Sequence, residues 1–155
     1  MRSALVLGFC WAGLYASLAV GSEVPSFTRG LPIAAEHYYT AAAAYVVPLV
    51  CLLAWLYAWI AASVAGVSEA REDLLVAYAR PTLLLFIVPD LLTYAAFGHA
   101  AMGGVVRVTA PLTGIVVAVV SIGVLKRAGA VSPKAEGAVV LALVLQAIPT
   151  GMLLR

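Results

Sequence analysis

The residues able to do chemistry in this chain are few and far apart. Asp90 comes first: it follows Pro89 at the centre of an apolar stretch, Arg80–Ala100, RPTLLLFIVPDLLTYAAFGHA. An ionisable group in the middle of such a stretch is costly, and is therefore functional or firmly paired by default. About ten residues, or about 15 Å at helical rise, separate it from either end. Thr93 and Tyr94 follow within about one turn. Arg107 stands about one turn into the next apolar run, and its long stem reaching inward would close part of a vertical gap of about 10 Å. Thr113 and Gln146 are neutral alternatives. The chemistry available to this group is an ion or proton relay, or a polar site for a headgroup or quinone. One carboxylate without a second in the membrane is thin for a transporter. The favoured reading is a buried polar contact that holds the helices in register around Pro89.

His37 and His99 form the second candidate pair. If the runs they begin and end are antiparallel, the two imidazoles lie on one side at similar depth, as the axial ligands of a b-type haem must. Both stand beside loops, where histidine is an ordinary interfacial residue, so no cofactor is expected and haem b or quinone is the weaker alternative. Cys10 and Cys51 have no CxxC partner. G-x-S-x-G, HExxH and P-loop signatures are missing, as are paired carboxylates at helical spacing. The expectation is no metal site, no catalytic residue and no enzyme.

Helices in a bilayer must position these groups. Of 155 residues, 65% are hydrophobic and 10% charged, far below the roughly one-quarter charged residues of soluble domains. The net charge of +2 is too small to imply nucleic acid as a partner. The chain reads as one all-α domain, 1–155: a polytopic membrane bundle with spans near 3–21, 37–65, 81–100, 105–125 and 135–154. The first run, with Arg2 ahead and Ser17 and Ala19 near its end, also fits a cleaved signal peptide, and is read as span one.

Pro48, Pro89, Pro111 and Pro149 should kink spans. Residues 66–79 read as a charged loop leading into a short amphipathic or interfacial segment, and Met102-Gly103-Gly104 as a tight turn. Ala54, Ala58 and Ala62, and again Ala110, Gly114 and Ala118, give small-residue stripes along which another helix can approach. With the N-terminus inside, Arg2, Arg71, Arg80, Lys126, Arg127 and Lys134 are cytoplasmic, against Arg29, Arg107 and Arg155 outside. That asymmetry predicts N-in/C-out.

The order of these elements over residues 36–155 resembles the Yip-one (Ypt-interacting protein) family, in its short prokaryotic form. The segments that carry it are EHYYTAAAAYVVPLVCLLAWL, the linker EDLLVAYARP running into a proline-containing span, and VRVTAPLTGIVVAVVSIGVLKRAGAVSPKAEGAVVLAL. The resemblance implies five spans with a cytoplasmic N-terminus. Only Gly66 stands where the family often has a glycine pair, and acidic residues follow it. The long N-terminal region that the resemblance would link to small GTPases is not seen, so fold and topology are carried over and the trafficking partner is not.

The expected function is therefore a non-catalytic scaffold or accessory subunit in a prokaryotic cytoplasmic membrane. It would bind other membrane proteins or its own copies, or shape the bilayer. The alternatives are a membrane anchor of a redox complex near His37, His99 and Arg107, and a small transporter or proton channel using Asp90.

Overall fold

A computed structural model describes residues 1–21 and 33–153, with side chains to residue 145. All regular structure among the described residues is helical: α1 (Arg2–Val20), α2 (Tyr38–Ala65), α3 (Arg71–Thr82), α4 (Val88–Phe97), α5 (His99–Arg127) and α6 (Ser132–Leu153). A single π turn, Leu83–Ile87, joins α3 to α4, so Ser68–Phe97 runs on as one rod of 30 residues. Among the described residues, Arg2–Val20, Ala35–Ala65, Ser68–Phe97 and His99–Arg127 are long and apolar enough to cross a membrane. Together with α6 they are compatible with a membrane helix bundle.

Two boundaries differ from the sequence expectation. The charged segment at 66–79 is helical from Arg71, apart from its first few residues. Glu72 and Asp73 stand in the first turn, where the helix dipole favours acids, and the buried Leu74, Leu75 and Ala77 give the segment a packed face. The turn between the next two rods lies at Gly98, whose φ of 75° is reached cheaply only without a Cβ. Gly103 and Gly104 sit inside α5 instead. In lipid a broken helix leaves backbone groups unsatisfied, which outweighs the modest helix penalty of glycine.

Cross-helix contacts fix the directions. Gly8 faces Val47 and Tyr15 packs on Tyr39, so α1 and α2 are antiparallel. Trp11 meets Phe86 and Tyr94 reaches Ser17, so α1 runs parallel to the 68–97 rod. Tyr57 bonds Ser121 and Tyr39 packs on His99, so α2 and α5 are parallel. The end holding Met1, Arg71, Arg127 and Lys134 is called basal here, and the end holding His37 and His99 apical. Tyr38 and Trp59 on α2 are 21 residues apart, about 31 Å along the helix, close to the hydrocarbon thickness of about 30 Å. That spacing is compatible with aromatic belts at the two faces of a bilayer.

The stripe Ala54–Ala58–Ala62, extended by Ala61 and Ala65, receives α6 of the same chain through Ala135, Ala138, Val139 and Ala142. The close approach expected there is thus used internally. In the same core the Tyr57 hydroxyl donates to Ser121 Oγ at 2.6 Å, both groups being buried. Interhelical bonds of this kind average about 0.6 kcal/mol in membranes and reach about 1.7. Tyr57→Phe strands the buried Ser121 hydroxyl and should cost about 1 kcal/mol, read as a lower unfolding midpoint in detergent. Adding Ser121→Ala should recover part of that loss, and a fully additive double variant would show that the bond contributes nothing.

Candidate functional site

Asp90 lies in the first turn of α4, immediately after Pro89 and the π turn. Residues 86, 90 and 94 share one helical face. Phe86 packs on Trp11 of α1 with ring centroids 5.3 Å apart and the rings tilted by 40°, and the Tyr94 hydroxyl donates to the Ser17 carbonyl at 2.8 Å. Asp90 sits between these two contacts and is 1% exposed. Around it Phe86 and Ile87 pack with Leu7, Val50, Val106 and Ala110. Its Oδ1 is buried and has no hydrogen-bond partner among the described residues. Buried polar atoms are nearly always satisfied, so an orphan in a native interior calls for an explanation. Single π turns recur beside functional sites, and this one ends three residues before the carboxylate.

The other candidates are distributed as follows. Thr93 spends its hydroxyl on the Pro89 carbonyl at 2.7 Å, and Tyr94 on Ser17. Thr113 is buried on α5, and its Oγ1 is a second polar atom without a partner among the described residues. With the turn at Gly98, Asp90 stands eight residues before it and Arg107 nine residues after it, so both lie about 12–14 Å from the apical end. The expected vertical gap is therefore nearly closed. The side chains nevertheless diverge, Asp90 inward and Arg107 onto the exposed face of α5. The side chain of Gln146 lies outside the described residues.

His37 and His99 do share the apical end, but each has its own neighbour. His37 Nε2 is 3.8 Å from Glu36 Oε1, and the His99 ring meets Tyr39 edge-on at 6.4 Å. His99 opens α5 and does not close the preceding span. Among the described residues no three His, Cys, Asp or Glu side chains converge as a metal site would require. Cys10 and Cys51 are free and half-buried.

Sequence reasoning missed the α1 side of the Asp90 surroundings. Trp11 and Tyr15 are four apart on one face, with ring centroids 6.1 Å apart, and that spacing was the available signal. It also missed a basal groove between α3 and α5 that gathers Asp73, Arg80 and Arg127. Compared with protein-family models, with curated proteins and with solved structures, the chain matches none of them.

Proposed function

We propose that this chain is a non-catalytic membrane scaffold or accessory subunit, with Yip-like topology, five spans and an N-in/C-out orientation in a prokaryotic cytoplasmic membrane. It binds other membrane proteins, or further copies of itself, through the outer face of α5. One observation carries the reading: Arg107 projects from that face, exposed, about 12 Å below His99 and so within the apolar layer. An arginine facing lipid at such depth is expensive, and stem extension toward the interface offsets only part of the cost. A partner's carboxylate or carbonyl groups would remove the rest. Gly103 and Gly104 lie one turn away with open space above their Cα atoms, which lets a second helix approach closely. Val108, Leu112 and Ile115 extend the face with exposed apolar side chains. The orientation is supported by the basal gathering of Arg2, Arg71, Arg80, Lys126, Arg127 and Lys134.

The test is mild detergent extraction, followed by size analysis and mass spectrometry of what co-purifies. The wild type is expected in a larger assembly. Arg107→Ala and Gly104→Leu should each lower partner recovery about tenfold or more, since removing one member of a buried charge pair typically costs about 2 kcal/mol or above. The fold should survive both changes, because both positions are exposed. A wild type that is persistently a lone monomer sinks the proposal.

The orphaned Asp90 oxygen supports a second reading, a small proton or cation conductor. Under it, Asp90→Asn abolishes flux in liposomes, and unchanged flux discards it.

A further inference from the structure

Between the basal halves of α3 and α5 lies a groove of about 710 Å³, independent of the α5 face and of Asp90. Its polarity is graded along the bundle axis. Asp73 and Arg127 lie toward its basal end, Arg80 stands about 10 Å deeper than Asp73, and Leu84, Leu85 and Val116 line the part beyond it. Arg80 lies nine residues after Arg71, about 14 Å along the helix. Tyr78 packs on Tyr57, which lies two residues apical of Trp59, so the Arg80 backbone stands about 6 Å inside the basal aromatic level. Its long side chain, tilted toward the helix N-terminus, reaches back toward the depth of lipid headgroups. Both guanidinium groups are exposed, and neither enters an ion pair among the described residues. The adjacent Lys126, by contrast, is 3.5 Å from Glu136. Asp73, also exposed, lies seven residues before Arg80 and reduces the charge of the lining to a net +1.

We propose that this groove binds one singly anionic phospholipid of the basal leaflet, with its phosphate held by Arg80 and Arg127 and an acyl chain lying on Leu84, Leu85 and Val116. The arginine fork suits bidentate recognition of phosphate oxygens. A bare anion would use only the basal part of a volume in the range of small-molecule pockets. A protein helix would need apolar contact along its whole length, whereas this slot carries its charges from the basal mouth to Arg80 and is apolar beyond it, as a lipid is. Asp73 accepts a hydrogen bond from a hydroxyl of a glycerol headgroup and disfavours a second phosphate.

The experiment is native mass spectrometry of the full chain, released from nanodiscs of equal parts phosphatidylglycerol and phosphatidylcholine. One phosphatidylglycerol is expected to survive activation that strips phosphatidylcholine. Arg80→Gln with Arg127→Gln should weaken its retention about thirtyfold, the combined effect of two interfacial cations. Arg2→Gln with Lys134→Gln removes the same charge from the same end outside the groove, and should leave retention intact. Val120→Trp fills the groove from an exposed position while both arginines remain, and should also expel the lipid. Equal retention of the two lipids, loss in the Arg2/Lys134 control, or persistence in Val120→Trp each overturns the assignment.

Discussion

Gly8→Leu is expected to lower the stability of the bundle by about 3 kcal/mol, the upper part of the range for overpacking a close contact. A Cβ built on Gly8 would lie 3.1 Å from the Val47 carbonyl oxygen and 3.2 Å from its Cα. Both are backbone atoms of α2, which no rotamer change can move aside. Helices in lipid gain little from burying apolar surface, because lipid tails are equally apolar, so association rests on close packing. Forcing α1 away from α2 also disturbs the tilted aromatic contacts that Tyr15 makes with Tyr39 and Trp11 with Phe86. Gly13 provides the control: it lies in the same helix, and a Cβ added there would meet nothing within 4 Å. Gly13→Leu replaces glycine by a good helix former and should be neutral or stabilising by up to about 1 kcal/mol. Unfolding midpoints of the two variants in one detergent decide the matter. Equal losses would show that helix propensity or insertion, and not the approach to Val47, governs the result.

The rods themselves were legible because lipid forces one solution on a long apolar run: a helix that satisfies its own backbone. The expected 37–65 agrees closely with α2, Tyr38–Ala65, despite Pro48 inside it. The turns were harder. Gly98 and the Gly103-Gly104 pair are five residues apart, and local chemistry favours the pair. One glycine at positive φ is enough to reverse the chain, and nothing in local sequence says which glycine adopts it. The start of α3 was hidden for a different reason. The four charged residues from Glu69 to Asp73 resemble a loop, yet they lie at the basal end, where the helix continues past the aromatic level into the polar zone.

The candidate site was legible in depth but not in direction. Counting residues located Asp90 near mid-span and Arg107 on the neighbouring helix. Whether two such groups meet depends on helix rotation, and rotation is set by packing that the sequence does not state. Phe86 and Tyr94 turn the Asp90 face toward α1, while Met102, Thr113 and Val117 turn α5 so that Arg107 points out. The same rotation explains why a charge that looked like an internal partner for Asp90 becomes the mark of an external surface.

Replacing Asp90 by valine is expected to stabilise the isolated chain by about 1–2 kcal/mol. An unsatisfied buried polar group costs about 1–3 kcal/mol, and an apolar side chain of similar size removes that cost. The β-branch gives back a few tenths in a helix. Asp90→Asn keeps a polar group in the same apolar surroundings, and its gain should be smaller. The order valine above asparagine above aspartate, measured as unfolding midpoints in one detergent, is the signature of a residue kept at a cost to stability. Such costs are typical of sites where function requires the unfavourable group. The reverse order, with valine losing about 1 kcal/mol or more, would mean that Asp90 makes a contact the fold depends on. The conducting role would then lose its main support, because the carboxylate would be explained by packing alone.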